Sequence, residues 1–558
     1  MAGEVRTGGQ ILVDQLCIQG VGTLFGVPGE SYLPVLDALF DTPELRFVTC
    51  RQEGGAAMMA AAWGRLTGRP GVALVTRGPG ATNASAGVHV AQQDSLPMVL
   101  LVGQIERASR ERDTFQEVDY RHMFAGMAKW VAEIDLAARI PELVHRAFAT
   151  ALAGRPGPVV LALPEDMLAE TATVVDSRPA RPVVAEPAAN AMAELAHLLA
   201  AAERPVAILG GGGWSPAGVA ALARFLDAHD LPTACAFRRQ DLLDNRHACY
   251  AGHIGLGPNP QLVARIKAAD LVLAIGARLG ETTSQGFALL DVPRPRATLV
   301  HVHSDPEELG RVYQPDLPIL ASLDGFAAAA AALAPPARLS WAADRAAAHA
   351  EELAWRAPTH IPGRLQLGEI VAWLRERLPD ETILTNGAGN YAIWANRHFG
   401  YRGLGTQLAP TSGSMGFGLP AAIAAKLARP TVPVVCLAGD GCFLMTGQEL
   451  ATAVQHELPI IVLVVDNGMY GTIRMHQERE HPGRVYGTAL RNPDFAALAT
   501  AYGAFGARVA TTAEFAPAFE AALAAGRPAL LHLLLDPEAI TPRATLAGLR
   551  AEAQAAGR

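Results

Sequence analysis

The sequence has 558 residues, of which 50% are hydrophobic and 18% charged; this is a globular composition, and the length predicts three or four domains. The formal net charge is −8 and no basic cluster occurs, which argues against nucleic acid as a partner. No apolar run reaches the roughly 18 residues of a membrane span, no signal peptide is recognised, and the six cysteines show no paired spacing, so we expect a cytoplasmic protein with reduced thiols and no membrane partner.

Residues 1–176 are predicted to form a first α/β domain, because short apolar runs alternate with stretches of helical spacing. Each apolar run ends in a loop rich in glycine or polar residues that leads into a helix, as in a parallel sheet. After a helix at 8–20, strands are predicted at 23–27, 47–50, 72–76, 97–102 and 158–163. Residues 178–189, rich in proline and alanine, are predicted to be a linker.

Residues 191–334 are predicted to form the middle domain, in which the loop Gly210–Gly213 directly follows the first strand. This arrangement is Rossmann-like, but a glycine run without the full dinucleotide-binding pattern is equally typical of a flexible connection. Strands are predicted at 206–209, 271–275, 299–303 and 317–321. The alanine-rich residues 327–352 are predicted to be a linker that ends in a surface helix.

Residues 362–540 are predicted to form the third domain, whose first strand lies at 382–384 and whose last lies at 530–535. A glycine-rich segment, 412–420, leads into a helix of small residues at 421–427. Residues 537–558 are predicted to be a polar, alanine-rich tail. The expected fold class is therefore α/β, with three doubly wound parallel-sheet domains.

The chain is predicted to be organised around a strand–helix–strand unit at 434–471, in the third domain. Its first apolar run breaks at Gly439-Asp440-Gly441, and its second run meets Asn467. Because parallel strands end at the same edge of a sheet, Asp440 and Asn467 are expected side by side. A carboxylate and an amide oxygen suit Mg²⁺, which usually completes its shell with water and phosphate oxygens.

Phosphate is the expected partner of that ion, because the glycines beside Asp440 and the one at 468 would let it approach the backbone. The helix predicted from Thr446 would direct its N-terminal dipole at the same place. The alternative is an ordinary turn with a solvated aspartate, since Gly-Asp-Gly follows many strands. The spacing to Asn467 favours the metal site over that alternative.

Several segments together resemble enzymes that use thiamine diphosphate (ThDP, also called thiamine pyrophosphate). Gly-Asp-Gly followed at this distance by Asn is similar to the metal–diphosphate motif of that family. The segments at 25–29, 52–56, 77–83 and 115–117 look like its pyrimidine-binding domain, and those at 415–422 and 444–453 like its diphosphate-binding domain. The resemblance is greatest to the acetolactate synthase family and covers nearly the whole chain, in domain order and spacing.

The resemblance implies a role for each candidate residue. Glu53 matches the catalytic glutamate that hydrogen-bonds the aminopyrimidine ring and promotes the tautomer that takes the proton from the thiazolium carbon. Met415 matches the apolar residue that holds ThDP bent, although by itself it would be a core methionine. Asp440, Asn467 and the backbone carbonyl of Met469 match the Mg²⁺ ligands. An alternative for Glu53 is an acid stabilised at a helix N-terminus.

The other cofactor and substrate positions come from the same resemblance. Asn390 and Tyr391 match positions that contact the diphosphate. Pro79, Asn83 and Gln116 fall near the pyrimidine or the substrate, and Gln116 is a second catalytic candidate. The remaining cofactor-binding candidates are glycines of these loops, Gly413, Gly439, Gly441 and Gly471.

Several positions depart from the acetolactate synthase pattern. Glu30 follows Gly29 where that family has a small residue beside the reacting carbon, so both are candidate substrate residues, and the acid is expected to repel a keto-acid carboxylate. Gln52 replaces a histidine. His476 stands where the family has a tryptophan that selects the acceptor; it is a candidate substrate residue or a solvated histidine. Thr283 lies near the position of an arginine that is missing here, which leaves FAD as an open third cofactor beside ThDP and Mg²⁺.

The expected activity is that of a carboligase, which decarboxylates pyruvate or a related 2-oxo acid and joins the acyl unit to a second carbonyl compound. The runner-up is a non-oxidative 2-oxo acid decarboxylase, or another C–C lyase or hydrolase of this fold, with His89, His122 or Glu30 as proton donors. A pyruvate oxidase would need bound flavin. A binding or regulatory protein without turnover is disfavoured because Glu53 and Asp440 are intact.

The expected assembly is a homodimer or homotetramer. In the family, the glutamate and the metal motif that meet one ThDP come from different subunits, so one chain would not complete the site. The expected ligands are small 2-oxo acids.

Overall fold

A computed structural model of the chain describes residues 4–557. It contains three six-stranded sheets in which every pairing is parallel, and a two-stranded antiparallel sheet. These residues form two compact units: one contains the described chain up to 183 with 410–430 and 444–458, and the other contains 184–409, 431–443 and the described chain from 459. The predicted fold class is confirmed. The limits assigned to the three domains from the sequence stay predictions.

The first sheet has the strand order β3-β2-β4-β5-β7-β6 and lies in the first unit. Its central strands are buried along their whole length, which is why they appear in the sequence as continuous apolar runs. The strands of this part of the chain are β1 Val5–Thr7, β2 Thr23–Gly26, β3 Arg46–Thr49, β4 Gly71–Val75, β5 Met98–Gln104, β6 Trp130–Glu133, β7 Pro158–Pro164 and β8 Thr171–Thr173. Of these, β1 and β8 form the two-stranded antiparallel sheet. The helices are α1 Gly8–Ile18, α2 Leu33–Phe40, α3 Glu53–Thr67, α4 Pro79–Asp94, α5 Tyr120–Phe124, α6 Ile140–Leu152 and α7 Glu165–Ala169.

The second sheet has the order β11-β10-β9-β12-β13-β14 and lies in the second unit. Residues 327–331, predicted to be linker, instead continue helix α11 and bury Ala327 and Ala330. The strands are β9 Pro205–Leu209, β10 Thr233–Cys235, β11 Tyr250–His253, β12 Leu271–Ile275, β13 Thr298–His303 and β14 Leu317–Leu320. The helices are α8 Ala189–Ala201, α9 Pro216–His229, α10 Pro260–Lys267, α11 Leu323–Ala331 and α12 Ala342–Arg356.

The third sheet has the order β16-β15-β17-β18-β20-β19 and also lies in the second unit. Its strands are β15 Ile383–Asn386, β16 Gln407–Leu408, β17 Val434–Gly439, β18 Ile461–Asp466, β19 Phe505–Val509 and β20 Ala529–Leu534. The helices of this part of the chain are α13 Leu367–Arg377, α14 Tyr391–His398, α15 Gly418–Ala428, α16 Asp440–Phe443, α17 Glu449–Gln455, α18 Gly471–Glu480, α19 Phe495–Ala501, α20 Thr512–Ala524 and α21 Leu546–Ala555. Helices α15 and α17 belong to the first unit, where α15 packs against α3.

The helix that was predicted to begin at Thr446 begins at Glu449 instead. The prediction that a helix N-terminus at Thr446 directs its dipole at a phosphate is therefore wrong. The Thr446 hydroxyl does not cap a helix; it donates to the Gly416 carbonyl at 2.6 Å. A short helix, α16, directly follows β17 instead and starts at Asp440. Within residues 4–557, no helix combines the length and the apolar character that a membrane crossing requires.

The predicted polar tail is wrong for most of its length, because α21 packs against α18. Leu546 and Leu549 form a small buried cluster with Met475 of α18. Beside it, the buried Glu478 carboxylate accepts hydrogen bonds from Arg474 at 2.7 Å and from Arg550 of α21 at 2.6 Å. These charge-assisted bonds hold the end of the chain against α18.

Replacing Arg550 with alanine is expected to release α21 from α18. Hydrogen bonds to a charged group contribute about 2 kcal/mol, so the free energy of local opening of α21 should fall by about that amount. The bond from Arg550 is the main reason that the pKa of Glu478 is lowered to about 2, so this contribution should be constant above the ordinary glutamate pKa of about 4.3 and be lost as the pH falls towards 2. Hydrogen exchange of 546–555 at pH 7 and at about pH 2.5, inside the range in which the contribution is lost, measures it.

The matched control for that experiment is Glu552→Ala, which changes an exposed residue of the same helix. It should leave the exchange of 546–555 within about 0.5 kcal/mol of the wild type. Equal exchange in the Arg550 variant and the wild type at pH 7 would show that Glu478 does not hold α21.

Candidate functional site

A first cluster of candidate residues, the first half-site, lies where strands of the first sheet end. Glu53 is the first residue of α3, and the Gln52 side chain caps that helix by accepting from the Gly55 N–H at 2.9 Å. The Asn83 amide of α4 donates to Glu53 Oε2 at 2.9 Å. The structure therefore brings Glu53 and Asn83 together, and Asn83 orients the carboxylate while its second oxygen, Oε1, faces Gly80.

The backbone that precedes Glu53 is held by a carboxylate from far along the chain. Glu449 of α17 is fully buried and accepts from the Gln52 N–H at 2.9 Å and the Arg51 N–H at 3.1 Å. The Thr452 hydroxyl donates to its other oxygen at 2.6 Å. Burial raises the pKa of Glu449, while these donors act against that effect by stabilising the charged form. No role was assigned to Glu449 from the sequence.

Gln116 packs on Gly78, the residue before Pro79, through a close contact that requires glycine. Gly78 has φ +59°, and a Cβ there would lie 2.8 Å from the Gln116 Cβ and 2.9 Å from its carbonyl oxygen. The Gly78 N–H donates to the buried Tyr120 hydroxyl at 2.9 Å. Pro79 begins α4 and is exposed. The loop of Gln116 thus packs directly on the turn that leads into α4.

Arg77 connects the loops of this half-site, although nothing in the sequence distinguishes it from the other residues of its motif. Its guanidinium donates to Glu30 at 3.1 Å, to Glu165 at 2.9 Å and to the Phe115 carbonyl at 3.3 Å. Its side chain is 9% exposed, whereas that of Glu30 is 66% exposed. Glu30, the acid expected to repel a substrate, is therefore paired with a buried cation through one carboxylate oxygen.

Gly413 and Met415 belong to the same unit, on the segment that precedes α15. Gly413 is exposed with φ +68°, and Met415 is half-buried rather than part of the core. At Gly416 a Cβ would lie 2.8 Å from the Met445 Cβ, so this glycine is required by close packing.

A second cluster of candidate residues, the second half-site, lies in the other unit, where β17 and β18 end. Their register places Gly439 beside Val465, so Asp440 follows one strand as Asp466 ends its neighbour. The Asn492 amide bridges the two carboxylates, at 2.7 Å from Asp440 and 2.8 Å from Asp466. His532 Nε2 lies 2.8 Å from the far oxygen of Asp466.

Two carboxylates so close together change each other's protonation. Burial, together with the charge of Asp466, raises the pKa of Asp440 to about 6. Burial acts in the same direction on Asp466, but hydrogen bonds from His532, the Gly468 N–H and Asn492 outweigh it and lower the pKa of Asp466. A cation at this place would remove the cost of keeping both acids charged. The sequence pointed to Asp440, whereas the contacts of Asp466, Asn492 and His532 depend on the strand register.

The glycines beside Asp440 are required by packing, whatever ligand the site takes. A Cβ at Gly439 would lie 2.9 Å from the Tyr391 ring, and one at Gly441 would lie 2.6 Å from the ring of Tyr470. Tyr391 is buried, and its hydroxyl donates to Cys442 Sγ and accepts from the Gly387 N–H, so this hydroxyl is engaged within the protein.

The remaining candidates of this half surround the start of α18. Asn390 accepts from the Thr472 hydroxyl at 2.9 Å, which ties the start of α14 to α18. A Cβ at Gly471 would lie 3.1 Å from the Asn467 amide nitrogen, so the two pack together. Met469 pairs with Ala489 in an isolated antiparallel bridge.

His476 lies on α18, not in a loop. It is 51% exposed, with Glu480 at 3.7 Å one turn further along. Its solvated position is compatible with either of the roles predicted for it, so its part in substrate selection stays a prediction.

Three family models of thiamine pyrophosphate enzymes match successive parts of the chain. The N-terminal TPP binding domain matches residues 6–123, the central domain matches 192–330, and the C-terminal TPP binding domain matches 387–533. Each match contains strands of one of the three parallel sheets.

Curated relatives are similar over nearly the full length. The acetolactate synthase isozyme 2 large subunit of Escherichia coli K12 is 32% identical over 538 residues, which are 95% of this chain and 95% of that protein. The acetolactate synthase large subunit of Parasynechococcus marenigrum is 32% identical, over 91% of this chain and 84% of that protein. The mitochondrial acetolactate synthase of Schizosaccharomyces pombe is 30% identical, over 95% and 83% respectively.

These similarities agree with the geometry of both half-sites: an oriented glutamate at the edge of the first sheet and a buried aspartate at the edge of the third. The resemblance expected from the sequence motifs is confirmed. The chain belongs to the family of thiamine pyrophosphate enzymes and, within it, is related along almost its whole length to the large subunits of acetolactate synthases.

Proposed function

We propose that this chain is a ThDP- and Mg²⁺-dependent carboligase, which decarboxylates pyruvate or a related 2-oxo acid and joins the acyl unit to a second carbonyl compound. The observation that carries the proposal is the Glu53–Asn83 pair at the start of α3, because it presents one fixed carboxylate at the ligand-binding edge of a parallel sheet. When bound, ThDP supplies the electron sink for the loss of CO₂.

Glu53 would hold the pyrimidine ring of ThDP and share a proton with its ring nitrogen. Asn83 occupies Oε2, so Oε1 is the oxygen left for that contact. Gln116 and Pro79 would border the ring or the substrate, since their loops meet at Gly78. Met415, half-buried beside α15, would support the bend of the coenzyme.

Asp440, Asn467 and the Met469 carbonyl would hold Mg²⁺. Support comes from the donor set, since carboxylate, amide and carbonyl oxygens suit this ion, and from the close contact of Asp440 with a second acid. Asn390 and the main chain of Tyr391, at the start of α14, would contact the diphosphate.

Replacing Asp440 with asparagine is expected to weaken Mg²⁺-dependent uptake of ThDP by about 10- to 100-fold or more, because even residues behind the ligands contribute that much to metal affinity. Titration calorimetry with ThDP in the presence and absence of Mg²⁺ measures the change. Asp494→Asn is the matched control: it makes the same substitution at an exposed acid that caps α19, and asparagine caps a helix equally well. Unchanged ThDP affinity in the Asp440 variant would contradict the metal role.

The proposal includes an assembly of at least two chains, a homodimer or homotetramer. In the family each ThDP lies between two subunits, and here the glutamate and the metal motif belong to different compact units of the chain. Domains at 1–176, 191–334 and 362–540 are proposed to carry the pyrimidine, central and diphosphate functions. Small 2-oxo acids are the proposed substrates, with Gly29, Glu30 and His476 as the residues that select among them.

FAD in the middle domain remains an expectation from the resemblance alone. Arg278, in the turn after β12, pairs with the buried Glu308 carboxylate at 3.2 Å, so this arginine is already engaged within the protein. The absorption spectrum of the purified protein decides the question: a flavin band would support FAD, and its absence would oppose it.

The test of the function is a product screen. The purified chain is incubated with ThDP, Mg²⁺, pyruvate and a panel of acceptor carbonyl compounds, and the products are identified by mass spectrometry. Ligated hydroxyketones or hydroxy acids are expected. Free aldehyde alone would support the non-oxidative decarboxylase instead, and absence of CO₂ release from every 2-oxo acid tested would contradict both.

A further inference from the structure

Glu30 and Glu53 follow the ends of two neighbouring parallel strands of the first sheet, Glu30 after β2 and Glu53 after β3. A Cβ placed on Gly29 would lie 2.4 Å from the Thr76 Cβ, and one placed on Gly80 would lie 2.9 Å from Thr76 Cγ2 and 3.4 Å from Glu53 Oε1. Thr76 therefore packs against both Gly29, the chain neighbour of Glu30, and Gly80, which lies beside the Glu53 carboxylate. Since ligands of such sheets bind beyond the strand ends, Glu30 borders the space in which a ligand of Glu53 lies.

Arg77 orients Glu30 but does not neutralise both of the carboxylates with which it pairs, those of Glu30 and Glu165. Its guanidinium is bonded to Glu30, to Glu165 and to the Phe115 carbonyl, and with 9% of its side chain exposed it has little surface for a ligand. Two carboxylates share this one cation, so the cluster carries one net negative charge. Glu30 is held through Oε1 and is 66% exposed, which presents its second oxygen to solvent.

A fixed carboxylate oxygen at the border of a site discriminates between two classes of acceptor. It accepts a hydrogen bond from a hydroxyl group, and it repels a second anion. A 2-oxo acid acceptor keeps its carboxylate in the product, so the repulsion acts throughout the joining step. A neutral hydroxyaldehyde brings no charge and supplies a donor.

We infer that the Glu30–Arg77 pair selects a neutral, hydroxylated aldehyde rather than a second 2-oxo acid as the acceptor. The inference rests on the proposed function. The step joins RCOCO₂⁻ and R′CHO: the bond to the carboxylate breaks and CO₂ leaves, the acyl carbon bonds to the aldehyde carbon, and one proton from solvent completes the hydroxyketone RCOCH(OH)R′.

The test is a competition in one tube. The holoenzyme, with ThDP and Mg²⁺, receives pyruvate as donor and equal concentrations of glycolaldehyde and 2-oxobutyrate as acceptors, and the two products are quantified by mass spectrometry. Their ratio does not depend on how much active enzyme each preparation contains. We expect the wild type to favour the glycolaldehyde product by at least about tenfold, and Glu30→Gln and Glu30→Gly to lower that ratio by about tenfold.

Glu165→Gln is the matched control, since it removes the same charge from the other carboxylate partner of Arg77, at the first residue of α7. It should change the ratio by less than about threefold. Hydrogen exchange of 114–118 in each variant, without coenzyme, is the second readout: it should stay unchanged in Glu30→Gln if Arg77 still holds the Phe115 carbonyl.

The other outcomes of this competition contradict either the inference alone or the proposed function as well. A wild type that prefers 2-oxobutyrate, or a ratio unchanged in both Glu30 variants, overturns the inference while leaving the carboligase intact. Loss of all turnover in both variants overturns it as well, because Glu30 would then be required for the reaction and not for acceptor choice. Absence of any ligated product from the wild type overturns the proposed function, and this inference with it.

Discussion

Replacing Glu53 with glutamine is expected to lower turnover of a 2-oxo acid by about 10²- to 10⁴-fold, the usual contribution of a positioned acid or base. Glutamine keeps the size of the side chain and can still accept from Asn83 through its carbonyl oxygen, so α3 and the half-site should keep their structure. What it loses is the exchangeable proton that a carboxyl group shares with a ring nitrogen. CO₂ release at saturating ThDP measures the effect.

ThDP affinity separates this chemical role from a binding role. Calorimetry should place the dissociation constant of ThDP in the Glu53→Gln variant within about tenfold of the wild type, because removing one hydrogen bond costs about 1 kcal/mol. Asn83→Ala is the graded control: it leaves the carboxylate but removes the donor that orients it, and turnover should fall by only about tenfold. Turnover of the glutamine variant within tenfold of the wild type would rule out Glu53 as the proton-transferring group.

The sequence predicted most of the fold because parallel strands buried on both faces appear as uninterrupted apolar runs. Strands β4, β7 and β17 were located in this way to within one or two residues. Strands β10 and β11 were missed because their sequences, Thr-Ala-Cys and Tyr-Ala-Gly-His, do not form a continuous apolar run. The half-exposed edge strand β19 was also missed, because its sequence contains no continuous apolar run.

The prediction of a polar tail at 537–558 was wrong for a different reason. Its leucines are too few to form a helical stripe that can be recognised, and its packing depends on Glu478, which lies 72 positions away from Arg550 in the sequence. A long-range ion pair of this kind has no local signature. The same limit applies to α16, a single turn whose formation depends on how β17 ends.

Site residues could be predicted where they follow the carboxyl end of a parallel strand, because ligands of such sheets bind there. Asp440 directly follows an apolar run, and Glu53 follows the strand predicted at 47–50 after Arg51 and Gln52, so their position at sheet edges could be expected from the sequence alone. The partners that orient them could not, because Asn83 meets Glu53 through helix packing and Asn492 meets Asp440 through a loop. Arg77 lay within a recognised motif, yet its ion pair with Glu30 joins two strand ends whose adjacency requires the sheet order.

Replacing Glu449 with alanine is expected to loosen the start of α3 and so to impair Glu53 without touching it. The substitution leaves the Arg51 and Gln52 N–H groups without their buried acceptor, at a cost of about 3 kcal/mol, at the upper end for an unsatisfied buried donor pair. Hydrogen exchange of 51–55 should rise accordingly. Turnover should fall with it, because these residues lead directly into Glu53.

Gln455→Ala is the matched control for Glu449→Ala. Gln455 ends the same helix and also bonds Arg51, but through the exposed guanidinium at 2.6 Å rather than through the backbone. Its loss should cost less than about 0.5 kcal/mol and leave both exchange and turnover unchanged. If Glu449→Ala accelerated exchange at 51–55 but left turnover at the wild-type level, the position of Glu53 would not depend on this carboxylate. If both changed together, α17 of the diphosphate-binding segment would be shown to hold the catalytic acid of its own chain in place.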